Sequence, residues 1–130
     1  MTETGRRAHG ELEAQVLRTL WGGERPLTAK EIQQALPGQL PAHTTVLTAL
    51  DRLRGKGDVE RAGVDARGIR FAATRTEAEH TGLAMLQHLT GAGDRRAALM
   101  RFAGHLGAED IELLRRAISP DGHSQPLTGP

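Results

Sequence analysis

The chain has 130 residues, of which 38% are hydrophobic and 25% are charged, so it accommodates one globular domain or a compact domain with a small appendage. Its 17 basic and 16 acidic residues give a formal net charge of +1, which excludes a protein that coats polyanions through bulk charge. The absence of cysteine excludes disulfides, thiolate metal sites and cysteine nucleophiles.

Targeting signals and aromatic content indicate where the protein is located and what kind of core it has. The first residues lack the apolar segment of a signal peptide, and no apolar run could span a bilayer, so we expect a cytoplasmic protein without membrane insertion. Only Trp21, Phe71 and Phe102 are aromatic, which favours a lean helical core that associates with a partner to bury its remaining apolar surface. Residues 1–9 and 119–130 have the composition of flexible tails.

The chain begins with a pattern of two helices separated by a short extended segment. An apolar stripe between residues 12 and 21 predicts the first helix, and residues 26–27 predict the extended segment. Thr28 and Glu31 have the spacing of a capping box, in which each side chain bonds to the backbone amide of the other residue. A second helix is therefore predicted to start there and to end before Pro37.

Residues 43–54 predict a third helix with two contrasting faces, followed by the helix-ending run Gly55-Lys56-Gly57. At 3.6 residues per turn, one face is apolar and comprises Val46, Leu47, Leu50 and Leu53. The other face carries short hydroxyl side chains and one guanidinium, namely Thr44, Thr45, Thr48 and Arg52. Such side chains fit a nucleic-acid groove and can bond to base edges and phosphates, although from this helix alone a solvated surface is an equal alternative.

The period of the apolar pattern shortens from 3.6 towards two after Gly57. Residues 59–62 and 69–73 predict the strands of a hairpin, and residues 63–68 predict its turn. Helix, strand, helix, helix, strand, strand is the order of a winged helix-turn-helix, in which the second helix of the pair enters the major groove. We therefore predict a mainly α protein with such a domain at residues 10–75, and a wing from which Arg67 reaches phosphates or the minor groove.

Residues 76–118 predict three short helices. Thr76 and Glu79 repeat the capping-box spacing, and Asp94 is placed to cap the next helix. Three short helices with narrow apolar stripes cannot bury enough surface alone, which predicts a three-helix dimerisation region with a core shared between two copies. The predicted dimerisation residues are Leu83, Leu86, Leu99, Phe102, Leu106, Ile111, Leu114 and Ile118.

These segments resemble the penicillinase repressor family of winged-helix regulators (BlaI/MecI type) from about residue 9 to residue 118. The resemblance is carried by residues 10–17 and 26–32 and by the run Thr44-Thr45-Val46-Leu47-Thr48-Ala49-Leu50-Asp51-Arg52-Leu53. It implies a homodimeric repressor whose partner is a palindromic operator in double-stranded DNA, with one recognition helix of each subunit in a major groove. The predicted DNA-binding residues are His43, Thr44, Thr45, Thr48, Arg52, Lys56 and Arg67. For His43, at the start of the helix, a phosphate contact and a helix-capping role are equal alternatives.

Several members of this family are released when a sensor metalloprotease triggers cleavage of an Asn-Phe bond in the second C-terminal helix. In the matching segment here, Arg101 stands in the place of the asparagine before Phe102. The resemblance thus implies a candidate cleavage site at Arg101–Phe102 and a membrane sensor protease as a partner, while a core role for Phe102 is the favoured alternative. The copper-responsive branch uses a cysteine motif, which this chain lacks.

Three other function classes fit the sequence less well. A metal or ligand sensor could use His80, His88 and His105, but no H-x-x-x-H or H-x-x-E-H spacing occurs, so surface histidines and no cofactor are predicted, with a site at the dimer interface as the alternative. An enzyme is not predicted, because no G-x-S-x-G, P-loop or G-x-G-x-x-G motif is present, and Asp51 is interpreted as an ion-pair partner of Arg52 and not as a general base. A protein-interaction module without DNA binding would need apolar anchors on the Thr/Arg face, and none is expected there.

Overall fold

The computed structural model describes residues 10–119, and these divide into two compact units between Gly82 and Leu83. The first unit comprises α1 (Glu11–Gly22), β1 (Leu27–Thr28), α2 (Ala29–Ala35), α3 (His43–Gly55), β2 (Val59–Asp65) and β3 (Gly68–Ala73). Helix α4 (Glu77–Thr90) begins in the first unit and ends in the second, which also contains α5 (Arg95–Gly104) and α6 (Ala108–Ile118). The predicted mainly α fold with the winged helix-turn-helix order is confirmed. The predicted tails lie outside the described residues apart from Ser119, and none of the described helices is both long and apolar enough to cross a membrane.

Side-chain caps determine where three of the helices begin. Thr28 Oγ1 accepts a hydrogen bond from the Glu31 amide at 3.1 Å, while Glu31 Oε1 accepts one from the Thr28 amide at 3.0 Å. This capping box pairs two amides that helix geometry leaves without a partner. Thr76 and Glu79 form the same two bonds before α4, and the Asp94 carboxylate caps α5. All three predicted caps are confirmed.

The three strands form an antiparallel sheet in the order β1-β3-β2, and its β2–β3 hairpin is the wing. At the tip of the hairpin, Asp65 pairs with Gly68. The predicted six-residue turn is therefore wrong, because β2 continues to Asp65 and only residues 66–67 connect the strands. An irregularity in the register of β2 contains Gly63 at φ 133°, a backbone angle that glycine adopts without strain. This glycine allows strand pairing to continue where the sequence pattern indicates a turn.

The core of the first unit is formed by α1, α2, α3 and the sheet. Its buried apolar residues are Val16, Leu17, Leu20, Ala29, Ile32, Leu36, Val46, Ala49, Leu50, Leu53, Val59 and Phe71. On α3 the predicted burial of Leu47 is wrong, since this side chain is 41% exposed and Ala49 is buried instead. Each residue turns a helix by about 100°, which carries Leu47 away from the arc that Val46, Ala49 and Leu50 share. Leu47 therefore lies beside the solvent-facing side of α3.

The second unit leaves its apolar side chains uncovered in the single chain. No residue of α4, α5 or α6 is buried. All of the predicted dimerisation residues are exposed apart from Leu106, which is half-buried. Further exposed apolar side chains on these helices, which the sequence analysis missed, are Met85, Met100 and Leu113. A largely apolar groove of about 370 Å³ lies between α4 and α5 within residues 85–102. Apolar surface of this extent in one unit is typical of an interaction site.

Candidate nucleic-acid interface

Helix α3 presents the predicted polar face to solvent. The face is exposed at each of its four positions, Thr44, Thr45, Thr48 and Arg52. Thr48 Oγ1 donates to the Thr44 carbonyl oxygen at 3.0 Å, so this hydroxyl keeps lone pairs with which it can accept. Within residues 10–119, the Arg52 guanidinium has no ionic partner. The face thus offers both donors and acceptors to a ligand.

The one acidic residue of α3, Asp51, pairs with Arg54. Asp51 Oδ1 lies 3.7 Å from Arg54 Nη1, as an i,i+3 pair on the exposed side of α3. The ion pair predicted between Asp51 and Arg52 is therefore wrong, because adjacent residues point in different directions around a helix. Arg52 is left able to bond to a base or a phosphate.

The two ends of α3 carry the remaining predicted contacts of this helix, His43 and Lys56. Ala42 is the N-cap residue of the helix and no side chain caps it, so His43 is exposed at the first helical position and does not act as a cap. Lys56 Nζ lies 2.7 Å from Glu13 Oε1 and ties the other end of α3 to α1. Lys56 thus has an intramolecular partner, whereas the uncapped amides beside His43 could bind an anion such as a phosphate.

A network of four charged residues, hereafter the wing brace (Glu31, Asp65, Arg67 and Arg70), holds the wing against the start of α2. Arg70 Nη1 donates to Glu31 Oε1 at 2.9 Å and to the Pro26 carbonyl oxygen at 3.2 Å. Arg70 Nε donates to Asp65 Oδ2 at 2.7 Å. Arg67 Nη1 lies 3.6 Å from Glu31 Oε2, and the Arg67 amide donates to Asp65. The predicted wing contact Arg67 therefore belongs to a network that the sequence analysis did not foresee.

The wing brace lowers the pKa values of its two carboxyl groups. A hydrogen bond from the Thr28 amide, reinforced by Arg70, holds the pKa of Glu31 below its ordinary 4.5. A hydrogen bond from the Arg70 side chain, reinforced by the Arg67 amide, holds the pKa of Asp65 below its ordinary 3.8. The same two carboxylates, that of Asp65 first, raise the pKa of Arg70, because each partner favours the charged form of the other.

Protonation of the wing brace should destabilise the first unit in acid. Carboxyl groups whose pKa is lowered by folding add stability that is complete above their ordinary values of 4.5 and 3.8 and is lost as pH falls through the lowered values. We expect the free energy of unfolding in urea to drop as the pH falls below about 4.5, and to drop less in a Glu31→Gln/Asp65→Asn variant. Glutamine at position 31 keeps the capping box.

The matched control for this measurement is Glu112→Gln, which removes an exposed carboxylate from an ion pair within α6. This variant should show the wild-type drop in the free energy of unfolding. An equal drop in the double variant and the wild type would contradict the role given to the wing brace.

Two adjoining grooves separate α3 from the wing and share an apolar floor. They measure about 520 and 320 Å³, and both are lined by Leu47, Ile69 and Phe71. Lys30, His43 and Arg67 line the first groove, and Asp51, Arg54 and Arg61 line the second. Five residues of this surface were not predicted from the sequence, namely Lys30, Leu47, Arg54, Arg61 and Ile69. Strand alternation could have placed Arg61 on the α3 side, since it lies two residues beyond the buried Val59.

The candidate cleavage bond, Arg101–Phe102, lies inside α5. His105 Nδ1 is 2.9 Å from the Arg101 carbonyl oxygen, while the His105 amide donates to the Phe102 carbonyl oxygen. Both carbonyl groups are therefore engaged at the end of this helix. Among residues 10–119, no three histidine, aspartate or glutamate side chains gather closely enough to hold a metal ion.

Comparison with known proteins gives the family of this winged helix. The sequence profile of the penicillinase repressor family matches residues 9–120. The transcriptional regulator BlaI of Mycobacterium tuberculosis, from strains CDC 1551 / Oshkosh and ATCC 25618 / H37Rv, is 35% identical over 114 residues, which cover 85% of this chain and 82% of that regulator. The chain belongs to the penicillinase repressor family.

Membership of the penicillinase repressor family confirms the predicted resemblance and identifies a winged-helix transcriptional regulator. Solved structures are more distant. The hsRosR-S4 complex is 23% identical with a TM-score of 0.46, and it covers 86% of this chain and 96% of its own. Streptococcus pneumoniae FabT in complex with DNA is 19% identical with a TM-score of 0.39, and it covers 81% and 69%. The fold assignment rests on the helices and strands described above and not on these two structures.

Proposed function

We propose that this penicillinase repressor family protein represses transcription by binding a palindromic operator as a homodimer, with α3 of each copy in a major groove. The observation that carries the proposal is the exposed face of α3, where three hydroxyls and a guanidinium stand beside a braced wing. A face of short polar side chains can approach base edges closely, because no bulky side chain holds the backbone away.

Basic groups on either side of this face would set its register on the DNA backbone. Arg67 has a side chain that is 73% exposed, and its ion pair with Glu31 spans 3.6 Å. Since exposed ion pairs contribute little, Arg67 can exchange Glu31 for a phosphate at small cost. His43 and the uncapped amides of α3 provide a second phosphate contact. The threonines and Arg52 then reach the base edges between these contacts.

The exposed apolar side chains of α4, α5 and α6 support the homodimer. On α6, Ile111, Leu114 and Ile118 share one side of the helix, and the apolar groove between α4 and α5 offers a surface of matching chemistry. A symmetric dimer carries two recognition helices related by a two-fold axis, which is the geometric reason for a palindromic operator. We place the regulator in the cytoplasm together with its operator.

Release by a membrane sensor protease is the last part of the proposal, with Arg101–Phe102 as the candidate bond. This bond lies in α5 and its carbonyl is engaged by His105, so a protease could act only after the last turns of α5 open. Cleavage there would separate α6 from the rest of the apolar surface and weaken the dimer.

Replacing Arg52 by alanine tests DNA binding directly. We expect the affinity of the full chain for an operator selected from random duplexes to fall by about 5- to 150-fold, or about 1–3 kcal/mol. The association state should not change, because Arg52 lies on α3 and outside the apolar surface of the second unit. Gel-shift titrations at one salt concentration measure the affinity.

Arg18→Ala is the matched control for Arg52→Ala, since Arg18 is an exposed arginine on α1. It should bind the operator with nearly the wild-type affinity. Unchanged binding by Arg52→Ala would remove Arg52 from the interface.

One observation favours the alternative of a protein-interaction module. Leu47 and Ile69 are 41% and 39% exposed next to the polar face of α3, where the sequence predicted no apolar anchor. In this alternative the same face binds a protein, and the full chain selects no duplex from the random pool. The selection step of the Arg52 experiment therefore decides between the two functions.

A further inference from the structure

Leu47 is an apolar side chain within a polar and basic surface. It follows Thr44 by one turn of α3, directly precedes Thr48, and is 41% exposed. Ile69 on the wing is 39% exposed and lines the same two grooves. Neither side chain belongs to the buried core of the first unit or to the partly buried apolar residues packed against it. Two exposed apolar side chains that line the same two grooves of a candidate interface are placed to contact its ligand.

We propose that Leu47 determines operator specificity by contacting the C5-methyl group of a thymine in each half-site, with Ile69 on the other side of that contact. The inference rests on the DNA binding proposed above. The thymine methyl is the apolar group that base pairs present in the major groove. Cytosine lacks this methyl and presents an amino donor, which a leucine cannot pair, so Leu47 discriminates between the two pyrimidines.

The charges around the grooves favour a nucleic acid over a protein as the occupant. Among the described residues that line the grooves, the only acidic one is Asp51, and its carboxylate pairs with Arg54. The basic lining residues are Lys30, His43, Arg54, Arg61 and Arg67. A small apolar contact inside a cationic rim suits a base that is flanked by phosphates. Leu47 and Ile69 alone would give a protein partner few of the aromatic anchors that dominate protein interfaces.

The test uses DNA that lacks the methyl group alone. The full chain first selects its operator from random duplexes, and each thymine of that operator is then replaced in turn by deoxyuridine, which keeps base pairing. We expect one deoxyuridine position in a half-site to lower the wild-type affinity by about fourfold, as loss of one buried methyl requires, and both half-sites together by about 16-fold. Leu47→Ala should lose most of this fourfold ratio, because Ile69 is then the apolar side chain left beside the methyl group.

Two further variants separate a base contact from a structural role. Leu40→Ala is the matched control, since Leu40 is 48% exposed just before α3 and lines neither groove, and it should keep the fourfold ratio. Leu47→Met keeps an apolar side chain and should retain part of the ratio. If Leu47 only supports the fold, Leu47→Ala weakens binding to both duplexes alike and keeps the ratio, which overturns the inference.

If no deoxyuridine replacement changes the affinity of the wild type, the inference about Leu47 is also overturned, although the protein still binds its operator. If the full chain selects no duplex at all, the proposed DNA binding fails and the inference fails with it. These outcomes are distinguishable because selection of the operator precedes the deoxyuridine scan.

Discussion

Replacing Leu114 by glutamate should raise the dissociation constant of the proposed homodimer by about 100-fold or more. Leu114 shares one side of α6 with Ile111 and Ile118, and all three are exposed in the single chain. Burial of one leucine contributes about 1.5–3 kcal/mol, and a two-fold axis counts each substitution twice. A carboxylate buried without a partner adds a further cost. Sedimentation velocity over a dilution series measures the dissociation constant.

Leu113→Glu provides the control on the same helix. Leu113 is 56% exposed but lies about 100° around α6 from Leu114, outside the apolar stripe. We expect this variant to remain dimeric, whereas the monomeric Leu114→Glu protein should also lose about 100-fold or more in operator affinity, because its second half-site is no longer tethered. A dimer of wild-type strength in Leu114→Glu would exclude the α6 stripe from the interface.

The elements that could be predicted from the sequence are those whose cause is local. A capping box joins residues three apart, so the spacing of Thr28 and Glu31, and again of Thr76 and Glu79, was sufficient to place two helix starts. The order of helices and strands followed from changes in apolar period in the same way. The exposure of the four polar positions of α3 was also predictable, because the turn of about 100° per residue places them outside the arc of the helix that the buried residues share.

The parts that could not be predicted depend on contacts between distant segments. The pair of Glu31 and Arg70 joins residues 39 apart in the chain, and no local pattern relates them. Leu47 resembles a core residue in type and spacing, but it lies outside the arc of α3 that the rest of the first unit covers, and contacts between distant segments decide which arc that is. The wing is longer than predicted because the register shift at Gly63 lets β2 continue past the residue at which the sequence pattern indicated its end. The apolar floor of the two grooves, formed by Leu47, Ile69 and Phe71, was not predicted because it brings together residues that are distant in the sequence.

Replacing Leu50 by alanine should lower the free energy of unfolding of the first unit by about 2–5 kcal/mol. Leu50 is 1% exposed and lies on α3 in the centre of the core, so the deleted methyl groups leave a cavity that the surrounding helices cannot fully close. Small domains are stable by about 5–15 kcal/mol, and one such cavity therefore removes a large share of the total. Operator affinity should fall on warming, as the fraction of folded α3 decreases.

The single tryptophan makes the measurement specific to the first unit. Trp21 Nε1 donates to the Arg75 carbonyl oxygen at 2.9 Å, and its ring lies 5.4 Å from that of His80, so its fluorescence reports unfolding of this unit. Urea titration followed by Trp21 should show the loss in Leu50→Ala and not in Leu113→Ala, an exposed leucine of the second unit.

Leu50→Ala and Leu114→Glu are expected to differ in their association state. Under native conditions Leu50→Ala should remain dimeric, because the apolar surface proposed to form the dimer lies in residues 83–119. Leu114→Glu should show the reverse, with a native Trp21 signal and no dimer. If Leu50→Ala dissociates the dimer while Trp21 still reports a folded first unit, the assignment of DNA binding and dimerisation to separate units is contradicted.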